Sequence, residues 1–191
     1  RVEEILTFWE CMVTQIETDI ATQADLGTPD DQRQVLTQRR AERFARIEPK
    51  GKRVYTARER AEMFFDAGTF VEMTPMRSAG TRPDGTPTGS GVVAGWGLVG
   101  GQPVVAICHD AAVASGAIGA VMAAAIMDAQ RFAITKGFPI VYVNDSGGAR
   151  VPDGIFALHG CGGIFALNVK AQRRVPQISL ILGPCAGAAA Y

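Results

Sequence analysis

The 191 residues are 47% hydrophobic and 20% charged, with 19 basic side chains balancing 19 acidic ones. A chain of this length can bury a sizeable core, and zero net charge gives it no general attraction to nucleic acid or to an anionic membrane. Glycine is abundant at 22 residues while aromatics stand at 7%, which favours close backbone approaches over aromatic stacking platforms.

The first 66 residues read as a charged helical extension. Val2, Ile5, Leu6, Trp9, Met12, Val13 and Ile16 recur at helical spacing and give one apolar face. Gly27-Thr28-Pro29-Asp30 breaks that helix, and a second is predicted from Asp31 to about Ile47, ending at Glu48-Pro49-Lys50-Gly51. A third short helix starts at Thr56, where Thr56 and Glu59 have the spacing of a capping box; Asp66-Ala67-Gly68 ends it. The N-terminus is too charged for a secretory signal.

Residues 67–191 form the predicted α/β domain. Thr69 to Thr74 is rich in strand formers, and Pro75 to Gly89 reads as a loop. Val92–Val99 and Pro103–His109 are strand-like runs joined at Gly100-Gly101, a hairpin signal. The apolar stretch Ala111 to Met127 reads as buried helix, with a helix expected over Ile118–Lys136. Pro139–Asn144 is a short buried strand, Gly154–Arg173 a helix, Pro176–Leu182 a second buried strand, and a further helix is predicted from about Ala186. Continuous apolar strands separated by helices imply parallel pairing with helical crossovers. No apolar run reaches the roughly 18 residues that would span a bilayer.

The four cysteines, Cys11, Cys108, Cys161 and Cys185, show no CxxC pair and no zinc-like Cys–His spacing. No metal site is expected, and buried thiols fit a cytoplasmic location. His109, before Asp110, and His159, within a helix, read as structural rather than as bases. Cys185 stands at a predicted helix start that favours a thiolate, but no base accompanies it. Asp145 reads as a turn or cap ligand, and Arg150 as a lock on its loop.

The chemistry-bearing signal lies at two strand-to-helix junctions: Asn144-Asp145-Ser146-Gly147-Gly148-Ala149-Arg150 and Gly183-Pro184-Cys185-Ala186-Gly187. Loops at the carboxyl ends of parallel strands are where open α/β sheets bind ligands. Glycines there allow close approach, and backbone N–H groups at a helix start are unpaired donors. Such donors suit a thioester oxygen as it becomes an enolate.

Asp145-Ser146-Gly147-Gly148-Ala149-Arg150 resembles the hallmark of biotin-dependent acyl-CoA carboxyltransferases. So does Val175-Pro176-Gln177-Ile178-Ser179 running into Gly183-Pro184-Cys185-Ala186-Gly187, and so do Gly51-Lys52-Arg53, Thr56-Ala57-Arg58-Glu59-Arg60 and Gly68-Thr69-Phe70-Val71-Glu72 upstream. The resemblance implies a crotonase-like spiral of ββα units and the N-terminal half of a carboxyltransferase. It implies transfer of CO2 from carboxybiotin to the α-carbon of an acyl-CoA through an enolate. Gly147 and Gly148 would then hold the thioester oxyanion, Ala186 and Gly187 would line the same pocket, and Ser115, Gly116 and Ala117 would approach coenzyme A. The implied partners are the acyl-CoA, the biotin carboxyl carrier and biotin carboxylase components, the second carboxyltransferase domain, and further copies in a homo-oligomer. The chain is expected to be a fragment or a split subunit.

Between Arg33 and Arg60 ten basic residues face three acidic ones, a balance of +7. By the resemblance, Lys52, Arg53 and Arg58 are the expected contacts to coenzyme A phosphates. Three places depart from the family pattern: Ser115 stands in place of a glycine, the following helix reads Ala123-Ala124-Ala125-Ile126-Met127 without its usual polar groups, and Ala188 follows Gly187. Two alternatives accompany the leading reading: an acyl-CoA decarboxylase subunit on the same scaffold, and a non-catalytic degenerate subunit.

Overall fold

Thr56 starts the first helix described in full. Its hydroxyl accepts the Glu59 N–H at 3.2 Å while the Glu59 carboxylate accepts the Thr56 N–H at 2.7 Å, the reciprocal box the sequence predicts. The fold is taken from a computed structural model that describes Gln34, Gln38, residues 55–80 and residues 88–191. The chain divides into two units, Arg1–Ala45 and Arg46–Tyr191. In the first, Gln34 and Gln38 are helical and exposed. The helix expected before Gly27, the remainder of the Asp31–Ile47 helix, and Lys52 and Arg53 lie outside the described residues.

In the second unit, α1 (Ala57–Phe64) is followed by β1 (Val71–Glu72), β2 (Val92–Val99), β3 (Gln102–His109), α2 (Ala120–Lys136), β4 (Ile140–Ser146), α3 (Ile155–Ala171) and β5 (Gln177–Cys185). The five strands lie in chain order in one sheet. The pairs β1–β2 and β2–β3 are antiparallel, and β3–β4 and β4–β5 are parallel. Gly100-Gly101 makes the β2–β3 hairpin, with both φ values positive as a tight reversal requires.

Alternation along the strands sends side chains to two cores. Val105, Ile107 and Ile140 pack with α2 and α3. Val104, Ala106, Cys108, Val141 and Val143 pack with Ala57, Ala61 and Phe65 around α1. The helices α2 and α3 come close because Gly160 faces Ala123: a Cβ on Gly160 would lie 2.6 Å from the Ala123 methyl. The alanine run that departs from the family pattern is thus a packing surface.

Four sequence expectations change. The stretch Ala111–Gly119 is not helical beyond a single 3-10 turn at Ala114–Gly116, and α2 begins at Ala120; Ser115 there has φ 56°, which α-helix forbids. The strand β5 continues through Gly183-Pro184-Cys185, so the second junction turns only after Cys185. The next element is a 3-10 turn, Gly187–Ala189, rather than an α-helix. Finally, β5 is not buried: Ile181 is 64% and Leu182 55% exposed, because β4 is its only strand partner among the described residues.

Candidate active site at the ends of β4 and β5

Three loops meet where the parallel strands end. The Ile118 N–H donates to the Gly148 carbonyl at 2.8 Å and the Arg150 N–H to the Ile118 carbonyl at 2.9 Å, so Ile118 and Ala149 form a short parallel bridge. The Ala186 N–H donates to the Ser146 carbonyl at 3.2 Å, joining the second junction to the first. A Cβ on Gly116 would collide with the Asp145 carbonyl, which keeps the 114–117 turn pressed against the loop.

The two adjacent glycines are not equivalent. Gly148 has φ +103°, and a Cβ there would sit 2.8 Å from the Ala186 carbonyl oxygen and 3.3 Å from the Ala188 nitrogen. Its backbone demands glycine. Its N–H is also occupied, donating to Ser146 Oγ at 3.1 Å. Gly147 is exposed, its φ lies outside the left-handed region, and a Cβ there would meet nothing within 4 Å. No acceptor for the Gly147 N–H lies among the described residues. Nothing among the described residues requires glycine at 147; open space above an unengaged donor is what a closely approaching ligand needs.

Beneath this turn lies a buried polar anchor. Asp145 is 1% exposed, and its Oδ2 accepts from Arg60 Nη1 of α1 at 3.1 Å. A side chain on Gly183 of β5 would collide with that carboxylate. The Asp145 N–H reaches His109 Nδ1 at 3.4 Å. Burial pushes the His109 pKa down to about 4, against an upward pull from the Asp145 charge, so the imidazole is neutral near pH 7. Burial likewise pushes the Cys108 thiol up to about 12, leaving it inert. Among the described residues of this turn, then, no side chain is poised as a general base.

A cavity of about 280 Å³ opens beside the second junction, with Ala188 and Ala189 in its wall together with His109, Ile118, Tyr142 and Asn168. Gly147 and Gly148 do not line it. Tyr142 and Asn168 in that wall are joined to Gln130 in a neutral network: Gln130 Nε2 donates to Tyr142 Oη at 3.0 Å and to Asn168 Oδ1 at 2.6 Å, and Tyr142 Oη donates to Asn168 Oδ1 at 2.8 Å. Burial raises the Tyr142 pKa, so the phenol keeps its proton.

Carboxyl transferase domain sequences match this chain over residues 47–191. A propionyl-CoA carboxylase beta chain from Saccharopolyspora erythraea is 44% identical over 151 residues, which cover 77% of this chain and 27% of that protein. The chain belongs to the carboxyl transferase domain family. Methylmalonyl-CoA decarboxylase subunit alpha from Veillonella parvula is also 44% identical, over 141 residues that cover 71% of this chain and 28% of the relative. The crystal structure of transcarboxylase 12S with methylmalonyl-coenzyme A and methylmalonic acid bound superposes with a TM-score of 0.74 at 34% identity, covering 86% of this chain and 34% of that one. These neighbours carry the crotonase-like fold, which is therefore the fold of this domain. The chain spans less than a third of the length of either curated relative.

Within the carboxyl transferase domain, the residues expected at the site divide by position. Gly147, Gly148, Ala186, Gly187, Ser115, Gly116 and Ala117 all lie on the three converging loops. Arg58 does not join them: its guanidinium binds Glu72 at 2.5 Å and approaches Glu62 at 3.8 Å, so it ties α1 to β1 rather than facing a phosphate. The Cys185 thiol donates to the Ala189 carbonyl at 3.3 Å, a structural contact. His159 is exposed on α3. Arg150 locks its loop as expected, with Asp153 at 3.4 Å. Asp145 forms one half of a buried ion pair with Arg60. Ser146 and Arg60 stand inside the glycine and Thr56–Arg60 motifs, but their partners, the Gly148 N–H and Asp145, are set by the fold. No helix among the described residues is long and apolar enough to cross a membrane.

Proposed function

We propose that this chain is the acyl-CoA side of a biotin-dependent carboxyltransferase, in which the Gly147 N–H stabilises the thioester oxygen as the α-carbon loses its proton. The observation that carries this reading is the asymmetry of the glycine pair: an unengaged donor with open space at Gly147, held rigid by a neighbour whose own N–H is committed. A donor fixed in advance costs no reorganisation when charge develops on the oxygen, and one such group is worth about 3–4 kcal/mol in the transition state. Gly148 serves the turn's shape rather than donating. Gly187 and Ala188 start a 3-10 turn with no acceptor for their N–H groups among the described residues, and the Gly148 contacts place that turn alongside. Ala186 and Gly187 therefore form the second wall.

Biotin, carried by a separate carrier protein or domain, supplies the carboxyl group and takes up the α-proton when bound. The described residues fit that division of labour, because the turn has oxyanion donors and no base of its own. Contacts to biotin are assigned to the second carboxyltransferase domain, and the biotin carboxylase component, the carrier and further copies of the chain are the proposed partners. The acyl-CoA-binding domain takes in α1, which packs on the sheet, as well as residues 67–191, and the residues before it form its extension, in a cytoplasmic enzyme. Ser115, Gly116 and Ala117 stand beside the turn where coenzyme A would approach, and Lys52 and Arg53 remain the proposed phosphate contacts.

The 44% identity to a methylmalonyl-CoA decarboxylase subunit favours a second reading, decarboxylation of a carboxyacyl-CoA, which passes through the same enolate. The two are separated by assaying the chain together with its second domain and biotinylated carrier, with propionyl-CoA plus carboxylated carrier in one arm and methylmalonyl-CoA in the other. Net carboxylation that avidin abolishes supports the first reading. Decarboxylation without any carboxylation supports the second. A chain that binds no acyl-CoA by calorimetry defeats both and leaves the non-catalytic alternative.

A further inference from the structure

The acyl-CoA reading leaves the buried hydroxyl of Ser146 without a role. Ser146 is completely buried, the last residue of β4, paired across the sheet with Cys185. Its carbonyl accepts the Ala186 N–H at 3.2 Å, and its Oγ accepts the Gly148 N–H at 3.1 Å. A single residue therefore holds both junctions, the second through its main chain and the first through its side chain. The Gly148 N–H makes no other hydrogen bond among the described residues.

We infer that the Ser146 hydroxyl is the positioning group of the oxyanion turn: by drawing the Gly148 N–H inward it sets the tilt of the preceding peptide and leaves the Gly147 N–H facing the substrate. This inference rests on the carboxyl-transfer reading above. A nucleophilic role is excluded by geometry, since Ser146 is sealed from solvent and the ring nitrogen nearest its strand, His109 Nδ1, already meets the Asp145 N–H. The residue is placed to act on the donor through the main chain. Without the hydroxyl, the Gly148 N–H is a buried donor lacking a partner, a state that proteins avoid. The link between 147 and 148 then rotates towards another acceptor. The room for such a rotation lies at Gly147: a Cβ built there would meet nothing within 4 Å among the described residues, whereas one on Gly148 would press on the Ala186 carbonyl and the Ala188 nitrogen. The displacement therefore falls on the catalytic amide.

The test uses Ser146→Ala in the chain assembled with its second domain and carrier, read in three ways. The kcat for acyl-CoA carboxylation should fall about 10- to 100-fold, the loss expected when a preorganised donor is displaced by around 1 Å. The KM for acyl-CoA should stay within about threefold, because the ground-state thioester draws little from the donor. Amide hydrogen exchange resolved to single residues should quicken at Gly148 while Ile140–Asn144 stay protected. Unchanged kcat in Ser146→Ala overturns the inference. So does a kcat loss accompanied by a matching rise in KM and faster exchange throughout β4, which would make the hydroxyl merely structural. If the unsubstituted assembly turns over no acyl-CoA while Gly148 exchange still depends on Ser146, the carboxyl-transfer reading fails and the role in turnover falls with it, leaving only the hydrogen bond.

Discussion

Arg60 and Asp145, 85 residues apart in the chain, form a 3.1 Å ion pair with side-chain exposures of 10% and 1%. This pair fastens α1 to the residue before Ser146, so the helix that opens the second unit is coupled to the loop proposed to hold the thioester oxygen. A buried ion pair adds little net stability over an apolar pair of the same shape, but removing one partner strands the other.

Replacing Arg60 by Met should therefore destabilise the domain by about 3–5 kcal/mol, because the buried Asp145 carboxylate loses its guanidinium partner. Adding Asp145→Asn should recover part of that loss, because the amide carries no charge to strand. Denaturant unfolding of both single variants and the double variant measures the coupling. Simple additivity of the two losses would show that the ion pair does not act as a unit.

His109 makes stability depend on pH in a defined direction. Its folded pKa is near 4, against an ordinary value of 6.5, so between these values the unfolded chain holds a proton that the folded chain lacks. The contribution of His109 is full above pH 6.5, declines as the pH falls, and is lost below about pH 4. The total is about 3 kcal/mol, from roughly 1.4 kcal/mol per pKa unit. His109→Gln should flatten this decline between pH 6.5 and 4 in chemical unfolding. A variant with the same acid sensitivity as the parent would place the proton uptake elsewhere.

The glycine pair yields opposite outcomes for one substitution. Gly148→Ala meets both a left-handed φ and a carbonyl oxygen 2.8 Å from its methyl, so a loss of about 1–3 kcal/mol is expected. Gly147→Ala meets neither, and its stability should stay within about 0.5 kcal/mol of the parent. Its methyl fills the space above the donor, so turnover should fall at least tenfold. Melting curves beside kcat separate the two. A Gly147→Ala protein that is stable and fully active would remove the oxyanion assignment.

Local chemistry made much of the domain legible. The Thr56 box, the Gly100-Gly101 hairpin, and the β4 and α3 segments each obey short-range rules of capping, turn type and period, and the two glycine motifs do fall where the parallel strands β4 and β5 end. The features that escaped were set by distance. Arg58 reads as a phosphate ligand until Glu72 is folded beside it, and Arg60 is one of ten basic residues until Asp145 arrives across the sheet. The Ala111–Gly119 stretch has helical composition, yet tertiary contact with the Asp145 carbonyl and the Ile118–Gly148 hydrogen bond holds it as a turn. The apolar run of β5 says strand but not edge, since exposure depends on which neighbours the sheet provides.

Helix packing behind the site gives a sharper steric test than composition could. Gly160 of α3 meets Ala123 of α2, where a Cβ would come within 2.6 Å of a methyl carbon, inside any tolerable contact. Gly160→Ala should push the helices apart and cost about 1–3 kcal/mol, as overpacking does, even though alanine favours helix over glycine by about 1 kcal/mol. Pairing it with Ala123→Gly moves the single methyl from one helix to the other and restores the interface volume. The double variant should then regain most of the loss, with a coupling energy of about 1 kcal/mol or more. If Gly160→Ala alone were stabilising, helix propensity would outweigh the contact and the α2–α3 approach would have to be looser than this geometry.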